Sequence, residues 1–437
     1  MAHQKPGRVA YVNARLLDPA SGLDAHGGIL TDGEMIVDLG PQLAGPGVLG
    51  DVGVEVIDCG GKCLAPGLID IRVQLREPGE EHKETFASAA QAAVAGGVTG
   101  MVCLPNTDPV IDDEATLEFV ARRARQLGLT KVYPYAAATK GLAGQEVAEL
   151  GLLSEAGAVA FTDGVSAIAN AQVMRRVLSY AATFDLLVVE HPEEPALAAG
   201  GLMNAGELST RLGLAGIPAE AEVILVERDL RLAAMTGARL HFAHVSTEAA
   251  LKVIRQAKAA GLPVTCDTAP PYFALNEGEV SDYRTFAKLS PPLRRESDRQ
   301  AVIAALADGT IDVIASDHAP QDQDGKRRPF RHAEFGGIGL ETLLPVTLQL
   351  VRDGHLTLLQ GLDLMTRRPA ELLGLPGGRL ERKGPADLVL FDPEAPWKVT
   401  PESLNSKSKN SPFDGRLVQG RVLMTVIDGR RVYQSAA

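Results

Sequence analysis

A chain of 437 residues with 45% apolar residues, 4% aromatics and a formal net charge of -12 has the length of a barrel of roughly 250 to 330 residues plus an accessory module. The acidic balance, without any basic stripe, excludes a nucleic acid or an anionic membrane surface as a natural partner. Met1 to Val12 carries His3, Lys5 and Arg8 but no apolar h-region, and no apolar run reaches the roughly 18 residues of a membrane span, so a cytoplasmic protein is expected.

The first 65 residues read as short alternating strands with Gly, Asp and Pro turns, clearest over Gly28 to Leu39. From Gly67 the pattern changes. Eight strand-like segments follow: Gly67 to Val73, Val98 to Leu104, Lys131 to Thr139, Ala158 to Gly164, Leu186 to His191, Arg239 to Val245, Pro263 to Ala269 and Asp312 to Asp317. Between them, Lys83 to Ala95, Asp113 to Leu127, Gln172 to Thr183 and Thr247 to Ala260 repeat apolar residues at three and four, the period of an amphipathic helix. This alternation predicts an α/β protein, a (β/α)8 TIM barrel over residues 66–375. A doubly wound open sheet is the runner-up, but it needs an early phosphate-binding glycine fingerprint that is absent. Alternating strands return at Ala386 to Phe391 and Gly420 to Tyr433, which predicts a small β-sandwich domain built from 1–65 plus 376–437. Four scattered cysteines, Cys59, Cys63, Cys103 and Cys266, complete no zinc set and read as buried thiols.

Polar residues at barrel strand ends are the candidates for chemistry. Strand one runs out as Ile71-Arg72-Val73-Gln74-Leu75-Arg76, strand four ends in Asp163, strand five in His191, strand six in His244 and strand eight in Asp317-His318. Taken singly, each reads as a capping or hydrogen-bonding residue. Together, two imidazoles and two carboxylates at four strand ends form a ligand set suited to zinc or a similar cation. His241 reads as a packing residue, and His3, His26, His82, His332 and His355 as loop or surface residues.

Several stretches are similar to dihydroorotases of the longer bacterial type: Ala65-Pro-Gly-Leu-Ile-Asp70, Gln74-Leu-Arg-Glu-Pro-Gly79, Leu104-Pro-Asn-Thr107, Ala160-Phe-Thr-Asp163, His244-Val-Ser-Thr247, Ser290-Pro-Pro-Leu-Arg294, Ser316-Asp-His-Ala-Pro320 and Ser406-Lys-Ser-Lys-Asn410. They occur in order over almost the whole chain. The resemblance implies a metal-dependent amidohydrolase barrel with a small β domain. It implies that Arg76 and Asn106 hold a substrate carboxylate, as a guanidinium and an amide can. It further implies that Asp163, His191 and His244 hold metal, and that Asp317 is both a ligand and the carrier of the proton in ring opening and closure.

The departures fall in the same pocket. The family's His-x-His after strand one is Arg72-Val73-Gln74, and neither an arginine nor a glutamine replaces a histidine ligand. Ser290 stands where the family has a substrate-contacting Asn, Tyr272 where it has a His, and Gln321 where Asp-His-Ala-Pro continues to a His; Asp163 is followed by Gly164. Arg72 is expected to place a fixed charge beside Asp163 and Asp317. Three readings follow. The first is a catalytically impaired dihydroorotase-like protein of pyrimidine biosynthesis, lacking the His-x-His metal motif and acting as a structural partner of aspartate transcarbamoylase in an oligomer. The second is an active dihydroorotase or other cyclic-amide hydrolase, binding dihydroorotate or carbamoyl aspartate, with a single zinc ion at Asp163, His191 and His244. The third is an amidohydrolase with another substrate, or a small-molecule binding protein. At most one ion is expected in any of them.

Overall fold

The computed structural model describes residues 7–45 and 53–435. His3, Lys5 and the outermost residues assigned to the terminal domain lie outside the described residues. Five strands come first: β1 (Arg8–Asp18), β2 (Leu23–Asp32), β3 (Met35–Gly40), β4 (Val54–Asp58) and β5 (Cys63–Pro66). The barrel strands are β6 (Leu68–Val73), β7 (Val98–Cys103), β8 (Lys131–Pro134) and β9 (Leu187–Glu190), then, after a short parallel pair β10 (Met203–Asn204) and β11 (Gly216–Ile217), β12 (Arg239–Phe242), β13 (Val264–Thr268) and β14 (Val313–Ile314). The chain ends in β15 (Leu388–Lys398), β16 (Leu417–Ile427) and β17 (Arg430–Gln434).

β6, β7, β9 and β14 are buried along their length, which is why they read as near-continuous apolar runs rather than alternating ones. Two parallel sheets, β6-β7-β8 and β14-β13-β12-β9, make most of the ring. Parallel bridges close it: Phe161 pairs with Ala136 and Val188, and His318 pairs with Val73. The expected fourth strand, Ala158 to Gly164, is therefore only a bridging residue by its pairing pattern. Its backbone is nonetheless engaged, with Phe161 N–H on the Leu187 carbonyl at 3.0 Å and Thr162 N–H on that of Ala136 at 2.9 Å. Val102 and Leu104 of the β7 side cluster with Ala243, just past β12, across the ring, so this apolar group fills the lumen.

The barrel helices start where side chains can accept their first N–H groups. Thr85 caps Phe86–Ala95, Asp113 caps Glu114–Leu127, Asn170 caps Ala171–Thr183 and Thr247 caps Glu248–Ala259. The first helix begins later than the apolar period suggests, because Lys83 and Glu84 are engaged elsewhere.

Strands from both ends of the chain share one eight-stranded sheet in the order β17-β16-β15-β5-β1-β2-β3, with β4 also on β1. Hydrogen bonding is thus continuous rather than split between two layers. β1 can serve β2, β4 and β5 because it is interrupted at Asn13, where the register with β2 shifts and φ is 53°. Asn tolerates that left-handed conformation better than most residues. The sheet encloses its own apolar cluster, including Tyr11, Leu16, Ile29 and Leu388. All four cysteines are free and buried, as expected of inert thiols. Among the described residues no helix is long and apolar enough to cross a membrane.

Candidate active site at the barrel mouth

The strand ends converge on a cavity of about 250 Å³ lined by Gln74, Arg76, Asn106, His191, His244, Ser290, Asp317 and Gln321, with Lys83 and Glu334 beside them. Three of its residues, Arg76 (φ 61°), His244 (φ 39°) and Asp317 (φ 51°), hold left-handed backbone that non-glycine residues rarely adopt. Such strain concentrates where a side chain must be aimed at a fixed point.

Arg72 is 2% exposed and sets a permanent positive charge against Asp317. Its Nε donates to Asp317 Oδ1 at 2.9 Å and its Nη2 to the Gly164 carbonyl at 3.1 Å. His244 Nδ1 lies 3.1 Å from the other Asp317 oxygen. Burial drives the His244 pKa down to about 4, and the Arg72 charge adds to this, so His244 is neutral at physiological pH. Burial alone would raise Asp317, but His244 and Arg72 beside it bring it down to about 2. With His244 neutral, Arg72 is the standing charge that keeps Asp317 ionised.

Asp163 does not join them. Its Oδ1 accepts the Thr139 N–H at 2.8 Å and its Oδ2 the Thr139 hydroxyl. Burial raises its pKa against those bonds. It does not line the cavity, so the expected set Asp163, His191 and His244 is not assembled, and the expectation that Arg72 pairs with Asp163 is corrected to Asp317 alone. The reason is local: the Gly164 carbonyl takes Arg72 Nη2, and the carboxylate turns to Thr139.

His191 Nδ1 and His244 Nε2 face each other at 2.6 Å. The outer nitrogens face carboxylates, Glu193 at 3.8 Å from His191 Nε2 and Asp317 at 3.1 Å from His244 Nδ1. At 2.6 Å one ring donates its N–H to the other, and the two nitrogens stand closer together than two ligands of one ion, so the rings would have to part to hold a cation between them. Arg72 and Gln74, at the family's His-x-His position, supply a fixed cation and an amide in place of two ligands. Among the described residues no three of His, Cys, Asp and Glu form a ligand cluster. Two imidazoles make an open, loosely holding site rather than a closed structural one.

On the Arg76 side of the cavity two cations share one carboxylate. Arg76 Nη1 donates to Glu80 Oε2 at 2.6 Å, Lys83 Nζ donates to Glu80 Oε1 at 2.5 Å, and Arg76 Nε is buried without a partner. Asn106 Nδ2 donates to Gln74 Oε1 at 3.1 Å, so Gln74 orients the amide instead of a metal. Tyr272 donates its hydroxyl to the Pro291 carbonyl at 3.0 Å, with its ring 6.5 Å from that of His244. His241 has the expected packing role, bonded to Thr265 and Asp267. His318 bridges toward Glu84, whose other partners are Ser88, Ser406 and the Lys407 N–H.

The loop after β14 roofs the cavity and is held by two buried lysines. Lys288 Nζ donates to the carbonyls of Phe330 at 2.9 Å and Ala333 at 2.6 Å, and lies 4.6 Å from the centre of the Phe335 ring. Lys326 Nζ donates to the carbonyls of Thr285 at 3.0 Å and Glu334 at 2.6 Å. Asn410 Nδ2 closes the loop base on the carbonyls of Ala319 and Gly336. Gly336 is required there: at φ 118° any Cβ would lie 2.8 Å from the Ala319 carbonyl oxygen. Sequence reasoning missed Thr139, Lys83, Glu193 and the two lysines that hold the loop, Lys288 and Lys326.

Residues 61–250 match the Dihydro-orotase-like family and residues 346–433 the Amidohydrolase family. The chain is 46% identical over 98% of its length to the dihydroorotase of Syntrophotalea carbinolica, covering 99% of that protein. To the dihydroorotase of Anaplasma phagocytophilum it is 45% identical over 98% of its length, covering 95% of that protein. The chain belongs to the dihydroorotase family. The fold of this dihydroorotase-family chain is also that of the L-hydantoinase of Arthrobacter aurescens, with a TM-score of 0.87, 26% identity, and coverage of 98% of this chain and 96% of that one. The expected amidohydrolase barrel with a terminal β domain is thereby established.

Proposed function

We propose that this dihydroorotase-family chain interconverts a cyclic amide and its ring-opened ureido acid, dihydroorotate and carbamoyl aspartate, with at most one divalent ion, taken up between His191 and His244. The observation that carries this reading is the convergence of Arg76, Asn106, His191, His244 and Asp317 on one cavity in a chain 46% identical to a named dihydroorotase. An ion there, zinc or a similar cation, would supply Lewis-acid polarisation of the amide carbonyl. Arg76 and Asn106 hold the substrate carboxylate, with Ser290 on the cavity wall. Asp317 moves the proton; its low pKa makes it a weak base, so proton transfer through it is slower than through a carboxylate free of Arg72. The named relatives, both dihydroorotases, support this reading over the expected catalytically impaired one.

The test is carbamoyl aspartate cyclisation by the purified chain with zinc supplied or chelated. The expected result is turnover that requires the ion and disappears in His191→Ala. No turnover with zinc, manganese or cobalt would overturn the reading.

A further inference from the structure

Between Phe242, the last residue of β12, and Glu248, the first of the next helix, the chain leaves regular structure. His244 sits in this stretch with φ 39°, and strained backbone persists only where its surroundings fix it. Its own N–H goes to Asp267 Oδ1 at 2.7 Å and the Val245 N–H to the Asp267 carbonyl at 2.9 Å. The next two are taken by a residue outside the cavity lining. Glu222, in the first turn of the helix Glu220–Thr236 and 2% exposed, accepts the Ser246 N–H at 3.1 Å and the Thr247 N–H at 2.9 Å. It also accepts both hydroxyls, Thr247 Oγ1 at 2.7 Å and Ser246 Oγ at 2.5 Å. An ionised carboxylate has acceptor room for four donors and no proton of its own, which an amide does not match. Arg294 reaches the same turn from the loop that carries Ser290, its Nε donating to Ser246 Oγ at 3.1 Å and its Nη2 lying 3.9 Å from Glu222.

We propose that Glu222 is a positioning residue for His244: by holding the two residues Ser246 and Thr247, it fixes the strained backbone and with it the aim of the ring at His191 and Asp317. The Ser and Thr of His244-Val-Ser-Thr247 and the Arg of Ser290-Pro-Pro-Leu-Arg294, which do not line the cavity, thereby acquire a role. The use of His244 in turnover rests on the cyclic-amide reading above; its placement does not.

Glu222→Gln keeps the shape and sets a donor against backbone N–H groups. Asp18→Asn is the matched control, since Asp18 is 1% exposed in the terminal sheet and likewise accepts three N–H groups and a hydroxyl. Both are measured where circular dichroism shows them folded. In the chain stripped of metal by chelation, the downfield proton resonance of the N–H shared by His191 and His244, assigned by its loss in His244→Gln, is expected to shift or vanish in Glu222→Gln and to stay in Asp18→Asn. In carbamoyl aspartate turnover, Glu222→Gln is expected to lower kcat about tenfold or more with KM within about twofold, because Arg76 and Asn106 follow other strands. Ser246→Ala removes one donor and leaves the carboxylate; it should show the same pattern at about threefold and decides the matter if Glu222→Gln does not fold. An unmoved resonance or an unchanged kcat overturns the proposal, as does an equal effect of Asp18→Asn. If the unmodified protein does not turn over carbamoyl aspartate, the cyclic-amide reading falls and the resonance alone decides the placement of His244.

Discussion

Arg72 decides the electrostatics of the site as a single residue. A buried carboxylate needs a cation, and Asp317 has one that is covalently part of the chain and cannot be washed out. Arg72→Met therefore leaves a buried charge without its partner, and a loss of about 3–5 kcal/mol is expected in denaturant unfolding. A loss under about 1 kcal/mol would mean that His244 alone suffices for Asp317. Changing both departures, Arg72→His with Gln74→His, opens the second position. Elemental analysis after zinc loading is expected to rise from at most one ion per chain toward two. That Gln74 lines the pocket was legible from its strand-end position. The partner of Asp163 was not, since Thr139 is 24 residues away in sequence and carries no signal of its own.

At the scale of an element, the roofing loop shows how buried lysine side chains can satisfy the carbonyls of irregular backbone. Lys326 sits in a Lys-Arg-Arg run that reads as solvated surface, yet it is 2% exposed. Burial, with the Lys288 charge close by, lowers its pKa from 10.5 to about 7. A lowered lysine favours the neutral form in the closed loop. Loop stability is thus greatest above the unfolded value, falls as pH drops from about 10.5 to about 7, and levels off below that. Amide exchange of 322–336, corrected for its intrinsic pH dependence, is expected to report more frequent opening at pH about 7 than at about 9.5. Lys326→Met should flatten that difference; an unchanged difference would assign it to another group. The helices were legible where a capping Thr, Asp or Asn precedes an apolar period. The fourth barrel segment was overread, because an apolar run between Gly157 and Gly164 predicts burial but not the regular pairing that defines a strand.

Across the whole molecule, the C-terminal part is a structural member of the site. Ser406 and Lys407 N–H bond to Glu84, Ser408 bonds to the Lys83 carbonyl, and Asn410 fixes Gln321 and the loop base. Asn410→Ala leaves the Ala319 and Gly336 carbonyls and the Gln321 N–H unmatched. The expected cost is about 1–3 kcal/mol in unfolding, together with weaker carbamoyl aspartate binding in calorimetry. Intact ligand affinity with lowered stability would confine Asn410 to a packing role. The two-ended sheet was legible as alternating strands at both termini, but its strand order was not, because pairing partners so far apart leave no local mark.

That order has a consequence for how the protein is made. Leu64 of β5 pairs with Leu390 of β15, so the inner edge of the N-terminal sheet waits for nearly the whole chain to leave the ribosome. Until then β5 presents unpaired amides and carbonyls to the crowded cell, and contacts of such high sequence separation form slowly. The nascent chain can close neither its sheet nor its cavity early, which makes the interval before the last strands emerge the period in which it most needs a chaperone.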